Sequence, residues 1–347
     1  MQVVSPTAEP GGASRSRVMR MHGIYDSAQR LVRQKWVAFG IGRLIHLVVT
    51  LLVLLVVTFA IVQLIPGNPA RLVLGPKASP QAVEVLRHKL GLDEPLVTQF
   101  FHYAKGAVRL RLGNSFTTGQ SVSSILLQRL PYTLWLDGVA LVIMMLIGVL
   151  FGLLAGALTT AHRNRWFEMV FMAITGFGGG VPSYVCAVGL SFIFAVTLRI
   201  FPVAGMNGAS SVVLPALAIA LPLSLLLARV VRVATLDVLA QDYIRTARSN
   251  RLSKWRIYFR YVLPNVLNAA VSLGGLLFVG IIGGSVVVEN VFAWPGLGTL
   301  LVQSIPALDY PVIQGATLLL GLIVVLLNTV VDVVRALVDP QAAVGGP

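Results

Sequence analysis

A dense group of basic side chains lies between Gln241 and Asn265, a stretch that we call the basic segment. It contains one acid, Asp242, and six basic residues, namely Arg245, Arg248, Arg251, Lys254, Arg256 and Arg260. Cationic side chains at this density can bind an acidic protein surface, the headgroups of anionic lipids or nucleic acid. The chemistry expected of the segment is therefore noncovalent binding.

Residue patterns typical of catalysis are absent from the sequence. It has no GxxxxGK[ST] phosphate-binding loop, no HExxH metal motif and no recognisable Ser/His/Asp set. The histidines are scattered, and each is expected to be structural: His22, His46, His88, His102 and His162. Cys186 is the only cysteine, so an intramolecular disulfide is impossible and no cysteine-based metal site is suggested. We expect a non-catalytic chain with no cofactor or metal of its own.

The composition is that of an integral membrane protein. Of 347 residues, 56% are hydrophobic and 12% are charged, which leaves too little polar surface to cover a soluble globule of this size. The net charge of +14 then indicates a cytoplasmic face and anionic lipid rather than nucleic acid. The sequence predicts an all-α integral membrane protein with six transmembrane helices, at about 44–65, 134–158, 169–198, 212–236, 270–288 and 315–338.

The distribution of Lys and Arg predicts the orientation of these spans. Seven basic residues precede the first span and six follow the fourth, whereas the loop 289–314 has none. By the positive-inside rule both termini are cytoplasmic, and the long loop 66–132 is external despite its basic residues. Residues 1–43 form a cytoplasmic tail, partly disordered, whose part from Arg17 to Arg43 is either a helix on the membrane surface or a solvated chain. Residues 341–347 form a short C-terminal tail.

The external loop is expected to be structured. Ser79 followed by Pro80, with Gly91 after an apolar face, predicts a helix with a start and a stop signal. A second helix is predicted by an apolar stripe made of Val97, Phe100, Phe101, Ala104 and Val108. These helices either receive a soluble partner at the outer mouth of the bundle or simply cover the spans.

Glycines recur at helical spacing inside the predicted spans. Gly148, Gly152 and Gly156 on span two predict close helix packing, as do Gly280 and Gly284 on span five. The run GFGGGVP, from Gly176 to Pro182, must weaken or break span three, as a simple kink or as a break beside a transport path. The candidate residues of a translocation path are Gly176, Gly180, Pro182, Gly280 and Gly284.

Charged residues inside the predicted spans are few. Asp137 lies one turn inside span two, and Asp332 and Arg335 lie three positions apart near the inner end of span six, where they could pair. No series of buried carboxylates or histidines suggests a proton relay. This pattern disfavours an ion-coupled secondary transporter, and a stand-alone channel or carrier is kept as an alternative.

The basic segment must lie in water, because six basic side chains in hydrocarbon would cost about 15 kcal/mol at roughly 2.5–3.5 kcal/mol each. Asp237 and Asp242 near the start and the apolar spacing predict two short helices around a turn at Ser249 to Arg251, within a cytoplasmic region 237–267. Such a helix pair projecting from a bundle is either a docking site for a soluble partner or simply a solvated basic surface.

This stretch resembles a known motif. The run TARSNRLSKWRIYFRYVLP, Thr246 to Pro264, is similar to the EAA motif of the membrane subunits of ABC importers. In that alignment the triplet falls on Arg245, Thr246 and Ala247, and Arg251 occupies the position that the family gives to Gly. Because Gly allows a positive φ at little cost, we expect Asn250 to take the turn instead.

The resemblance extends over about Arg43 to Pro340. The runs LIPGNPA (64–70), KLGLDEPL (89–96), LGNSF (112–116), RLPYTL (129–134) and GGSVVVENVFAWPGLGTLLVQSIPALDYPVIQGA (283–316) resemble the first permease subunit of the dipeptide, oligopeptide and nickel importers. The resemblance implies a multi-pass protein of a bacterial inner membrane. The expected substrates are di- or oligopeptides, with nickel, a haem-type ligand or another small solute left open.

The resemblance also implies the partners and the role of the basic segment. These are a second homologous permease, two cytoplasmic ATPases that bind ATP and Mg²⁺, an external substrate-binding protein and membrane lipid. The helix pair would fit a groove of one ATPase, with apolar side chains buried there and Arg248 and Arg256 pairing with acids. The expected coupling residues are Asp242, Ile244, Arg245, Thr246, Ala247, Arg248, Asn250, Arg251, Leu252, Trp255 and Arg256.

Overall fold

The computed structural model describes residues 42–64, 66–75, 78–109, 111–160 and 164–338, with side chains up to 334. Within these residues the chain forms helices and no β-strand, apart from one isolated bridge between Asn114 and Ser121. Five helices are long and apolar enough to cross a membrane, and a bent pair makes a sixth span if it is counted as one. The predicted tail 1–43, with its possible surface helix from Arg17, lies outside the described residues except for its last two positions, and the predicted tail 341–347 lies outside them entirely.

We number the helices α1 to α13 in chain order. The long ones are α1 (Gly42–Gln63), α5 (Val122–Thr159), α8 (Val213–Leu239), α11 (Leu263–Val291) and α13 (Tyr310–Val338). The bent pair is α6 (Arg165–Gly179) and α7 (Ser183–Leu190), the latter continued by a π-helical turn (Ser191–Thr197). The short helices are α2 (Pro69–Leu74), α3 (Pro80–Lys89), α4 (Leu96–Val108), α9 (Asp242–Ser249), α10 (Lys254–Ile257) and α12 (Leu297–Ser304), with a 3-10 turn at Ala209–Val212 and a π turn at Tyr258–Val262.

Two helices extend beyond their predicted spans. Helix α5 starts at Val122 although its span was predicted to start near Leu134, and it includes Pro131. Helix α11 begins at Leu263 and continues without a break from α10 through the π turn. Hydropathy marks where a helix meets lipid, whereas these helices continue into the polar zones on either side.

Helices α5 and α8 form the centre of the bundle. A Cβ on Gly148 would lie 2.7 Å from the Leu227 side chain, and one on Gly152 would lie 2.5 Å from Val231. A Cβ on Gly156 would approach the Thr235 side chain equally closely. The glycine ridge of α5 therefore lets the two backbones approach closely, as the spacing predicted.

The break in span three is larger than a simple kink. The axes of α6 and α7 differ by 99° across Gly180–Pro182. Pro182 is the N-cap residue of α7, and its ring removes the amide hydrogen that a continuous helix would need there. The alternative of a plain kink is wrong, and the chain turns sharply at this point.

The loop after α1 folds back onto α1. Ser79 caps α3 by accepting a hydrogen bond from the Ala82 amide at 3.2 Å, as predicted. On α4, Tyr103 hydrogen-bonds with Thr58 of α1 at 2.8 Å, and the rings of Phe100 and Phe59 pack edge to face at 5.4 Å. Burial raises the pKa of the Tyr103 phenol.

Only part of the predicted stripe on α4 reaches α1. Phe100 and Ala104 are half-buried, whereas Val97, Phe101 and Val108 are exposed. The inward face of α4 is centred on Tyr103, which the apolar pattern did not include.

Candidate functional site

The basic segment folds into the predicted pair of short helices. Helix α9 begins at Asp242, whose charge suits the positive end of a helix, and it ends at Ser249. The second helix, α10, is capped by Ser253, whose hydroxyl accepts a hydrogen bond from the Arg256 amide at 3.4 Å. It then runs directly into the spanning helix α11, so that Lys254 to Val291 form one continuous helix.

One face of α9 is buried against the bundle. Ile244 and Ala247 pack in an apolar cluster with Leu239, Ile257 and Val262. The expectation that Ile244 and Ala247 would supply apolar surface to a partner is therefore wrong, because the chain itself already covers them. Among the other apolar coupling candidates, Leu252 is half-buried and Trp255 is exposed.

The opposite face of the segment is polar and exposed. All six basic residues are exposed, as are Asp242, Thr246 and Asn250. Arg245 pairs with Asp242 at 3.3 Å, and none of the other five basic side chains forms an ion pair with a described residue. The structure thus presents a cationic surface on a base fixed by apolar packing.

The turn between the two helices is formed differently from the prediction. Arg251 has φ +54°, in the left-handed region, whereas Asn250 has φ −76°. The expectation that Asn250 would take this conformation is wrong. Arg251, at the position that the resemblance gives to Gly, adopts this conformation itself, which costs a residue with a side chain about 1–2 kcal/mol.

A buried ion pair that the sequence analysis missed lies next to this segment. Arg232 of α8 is buried, and its Nη2 lies 2.5 Å from Glu168 Oε1 of α6. Its Nε donates to Thr159 Oγ1 of α5 at 3.1 Å, and its guanidinium lies 5.8 Å from the centre of the Phe171 ring. One side chain therefore ties three helices together within two turns of the end of α8. An arginine inside a predicted span, which requires a partner, was the available signal.

Of the candidate path residues on α11, Gly284 lies against the bend in span three. A Cβ on Gly284 would lie 3.3 Å from Ser183 Oγ, so α11 contacts the chain just after Pro182. Gly176 and Gly280 have no atom within 4 Å of the place where a Cβ would lie. Gly280 therefore makes no close helix contact within the described chain, contrary to the packing prediction, and its face of α11 is open.

Glu289 of α11 is the centre of a buried polar network, which we call the Glu289 network. It lies near the end of α5 opposite to the Arg232 ion pair. Thr133 donates to Glu289 Oε1 at 2.6 Å. The amides of Gly298 and Thr299, at the start of α12, donate to Oε2 at 2.7 and 3.2 Å. The Thr133 hydroxyl also accepts from the Leu297 amide at 2.8 Å.

The glycines of this network are required by its geometry. A Cβ on Gly296 would overlap the Glu289 carboxylate, and one on Gly298 would lie 2.9 Å from its Oε2. The run WPGLG therefore supplies the space in which a carboxylate caps α12. Glu289 was not predicted to be a buried group, because the run was informative only through its resemblance.

Asp137 and Asp332 each have a polar partner on another helix, which spacing along the chain did not predict. Asp137 is buried, and the Ser285 hydroxyl lies 3.5 Å from its Oδ2. Asp332 pairs with Arg43 of α1 at 2.6 Å. The predicted partner of Asp332, Arg335, has a side chain outside the described residues. The Arg43 pair joins the first and last spans.

Another carboxylate, Asp309, joins two of the runs that supported the resemblance. Its oxygens accept from the Ser115 hydroxyl at 2.5 Å and from the Phe116 and Thr117 amides at 3.0 and 3.3 Å. The run LGNSF is thereby fixed to the run ALDYP, although 194 residues separate Ser115 from Asp309.

One group in the described chain has the composition of a metal site. Ligand atoms of Glu84, His88 and Asp93 all lie within 4.8 Å of one another, and all three side chains are exposed. Asp93 is already paired with Arg87 at 2.5 Å and with His88 at 3.2 Å. Ion pairing at the end of α3 accounts for the arrangement, and we assign no metal to it.

Comparison with known proteins agrees with this architecture. The family model "Binding-protein-dependent transport system inner membrane component" matches residues 148–344, and the model of the corresponding N-terminal region matches residues 36–137. The chain is 39% identical over 302 residues to the glutathione transport system permease protein GsiC of Escherichia coli O6:H1, covering 87% of this chain and 97% of that protein. GsiC of Shigella flexneri serotype 5b gives the same identity and coverage.

Among solved structures, an inward-facing MetNI methionine ABC transporter matches with a TM-score of 0.51 at 19% identity. The match covers 62% of this chain and 96% of the chain in that structure. At this identity the match shows a shared fold.

Proposed function

Since the chain belongs to the family of inner-membrane components of binding-protein-dependent transport systems, the permease subunits of ABC importers, we propose that it conducts small peptides and that its basic segment receives the motion of an ATPase. Members of this family work with a second permease, ATPase subunits and a binding protein. The chain itself is non-catalytic, so ATP and Mg²⁺ would bind on the ATPase subunits. Both termini would face the cytoplasm, together with the basic segment.

The observation that carries the proposal is the two-sided structure of α9. Its buried face, at Ile244 and Ala247, fixes it to the bundle, and its exposed face presents Arg245 and Arg248 to solvent. A soluble subunit with an acidic groove can bind that exposed face without displacing any core contact. Because the base is packed, a displacement of α9 must be followed by the helices beneath it.

Two connections can transmit that displacement into the spans. The first is the continuous helix from Lys254 to Val291. The second is the apolar cluster through which α9 contacts α8, next to the Arg232 ion pair. For these contacts to drive transport, the ATPase must bind the basic segment differently in its two nucleotide states.

The substrate class is proposed from the relatives and from the residue types at the bend. Relatives that match over 87% of this chain are described as glutathione permeases, and glutathione is a tripeptide. The residues grouped at the bend are glycines, Pro182 and Ser183, which offer backbone and hydroxyl groups and no fixed charge. Such a surface suits a short, polar peptide better than a metal ion, which would require carboxylate or imidazole ligands.

Reversing the charge at Arg245 and Arg248 tests the coupling proposal. We expect R245E/R248E to reduce copurification of the ATPase subunits and ATP-driven uptake in proteoliposomes by about tenfold or more, because like charges would meet across the interface. The matched control is K105E/R109E at the end of α4, which makes the same charge change on exposed side chains elsewhere. Normal assembly and uptake by R245E/R248E would contradict the coupling role.

Uptake of labelled substrates tests the peptide proposal separately. The complete importer, with its binding protein, is expected to accumulate glutathione or another di- or tripeptide in an ATP-dependent manner. Nickel accumulation without peptide accumulation would assign the chain to the nickel branch of the family. Uptake by the isolated chain without ATP would favour a channel or secondary carrier instead.

A further inference from the structure

A groove of about 450 Å³ lies beside the basic segment, between the last turns of α5 and the start of the α10–α11 helix. Its walls are almost entirely apolar, and they are formed by Leu150, Leu153, Leu154, Ala157, Trp255, Tyr258, Phe259 and Leu263, with Lys254 at the edge. Leu153, Tyr258 and Leu263 also pack against the apolar cluster beneath α9, whereas the proposed contact of Arg245 and Arg248 with an ATPase does not use the groove.

The groove extends to a depth that a soluble protein cannot reach. Leu150 lies nine residues before the end of α5 at Thr159, which corresponds to roughly 14 Å along a helix. Leu150 is 64% exposed and Leu154 is 53% exposed, on a helix long and apolar enough to cross a membrane. Exposed apolar side chains at this depth are the complement of an acyl chain, which suits the deep part of the groove.

The shallow end of the groove has the opposite character. Trp255 is 74% exposed and its ring stacks on Phe259 with centroids 5.6 Å apart, an arrangement suited to the boundary between headgroups and hydrocarbon. Lys254 is exposed and forms no ion pair with any described residue, and Arg251 and Arg256 are exposed nearby in the chain. A negatively charged headgroup is the complement that these side chains lack.

We propose that this groove is a binding site for one anionic phospholipid, whose acyl chain lies against Leu150 and Leu154 and whose phosphate lies at Lys254. The bound lipid would connect α5 with the helix that continues from the basic segment into α11. This proposal rests on the membrane location of the chain and is independent of the substrate and of the ATPase contact.

Native mass spectrometry of the full importer tests the site. Phosphatidylglycerol or phosphatidylcholine is titrated into the purified complex, and the lipid retained per complex is counted. We expect phosphatidylglycerol to bind more tightly, and K254Q to weaken its binding about fivefold, the effect of about 1 kcal/mol for one basic residue at a membrane surface. We expect L154W, which fills the groove, to abolish the retained lipid.

Matched variants separate a site from general attraction. R260Q removes the same charge from an exposed residue outside the groove, and L146W adds the same bulk to an exposed position of α5 outside it. We expect both to retain phosphatidylglycerol like the wild type. Thermal unfolding of each variant shows whether the fold is intact, which is expected because all four side chains are exposed.

Three results would overturn the proposal. An equal loss in K254Q and R260Q would indicate diffuse electrostatic attraction. Equal retention of the two lipids would remove the headgroup recognition. Retention of lipid by the isolated chain but not by the assembled importer would show that the groove is covered by a protein subunit.

Discussion

The Glu289 network and the basic segment lie near opposite ends of α5 and use charge in opposite ways. Glu289 is fully buried, and its two carboxylate oxygens together accept three hydrogen bonds from the chain. In the basic segment all six cationic side chains are exposed, and only Arg245 is paired within the described residues. The charge of the first region has its partners within the chain, whereas most charges of the second have none among the described residues.

This difference follows from the cost of burial. A buried charge without partners costs several kcal/mol, so it is retained only where the chain satisfies it. An exposed charge costs little when unpaired and remains available to another molecule. The Glu289 network therefore fixes the fold around α12, and the basic segment is the region of the two that can act on a partner.

The largest expected effect comes from the buried carboxylate. Glu289→Leu would leave the Gly298 and Thr299 amides and the Thr133 hydroxyl without their acceptor in a buried place. We expect the free energy of unfolding to fall by about 3–5 kcal/mol. Denaturant-induced unfolding in detergent micelles measures this change.

Two further variants make this test specific. Glu84→Leu makes the same substitution at an exposed acid of α3 and is expected to change stability by less than about 0.5 kcal/mol. Glu289→Gln keeps the shape and one acceptor oxygen, so it should recover part of the loss. If Glu289→Leu were as stable as Glu84→Leu, the two regions would not differ in the way described.

The Arg232 ion pair sharpens the comparison, because it is buried but lies beside the basic segment. Arg232 is 6% exposed in its side chain and Glu168 is 30% exposed. Glu168→Met would leave a buried cation with the Thr159 hydroxyl and the Phe171 ring but no anionic partner, so we expect a loss of about 3 kcal/mol. Arg232→Met leaves a carboxylate that water can reach, and we expect a smaller loss.

Unfolding of the two single variants and of the double variant gives the coupling energy between the partners. The double variant should be more stable than Glu168→Met, because no unpaired charge remains. Equal losses in the two single variants would show that exposure does not determine the cost here.

The same comparison explains how much the sequence could predict. The two helices of the basic segment, the Ser79 cap and the glycine ridge on α5 depend on residues within a few turns, and their patterns were readable. The Glu289 network joins Thr133 to Glu289 across 156 residues, and the Arg232 pair joins α6 to α8 across 64. Nothing in local spacing specifies which helices meet, so these partners were missed.

The failed expectation at Asn250 has a different cause. Residue preference favoured Asn250 for the left-handed position, but the packing of Ile244 and Ile257 on the bundle fixes where the turn occurs. Arg251 therefore adopts a conformation that its own preference opposes. Tertiary packing decides the turn at a cost that is small beside the burial of the two helices.

A pair of glycine substitutions tests whether the two glycine environments differ as described. Gly298→Ala would place a Cβ 2.9 Å from Glu289 Oε2 and 2.5 Å from the Val286 backbone, and we expect a loss of about 1–3 kcal/mol. Gly280→Ala meets no atom within 4 Å and should be neutral or up to about 1 kcal/mol stabilising, because Ala favours the helix.

Transport by the same variants adds information on the open face of α11. If Gly280 borders the translocation path, Gly280→Ala should change the uptake rate while leaving stability unchanged. Equal destabilisation by the two substitutions would contradict the assignment of Gly280 to an open face.

The smallest expected effect concerns the turn of the basic segment. Arg251→Gly removes a side chain from a residue at φ +54°, so we expect the chain to be stabilised by about 1 kcal/mol. Asn250→Gly is the matched control, because φ at Asn250 is −76° and glycine gains nothing there. We expect this control to be neutral or slightly destabilising. Thermal unfolding of the two variants distinguishes them, and a greater gain from Asn250→Gly would show that the turn is formed at the position that sequence preference favoured.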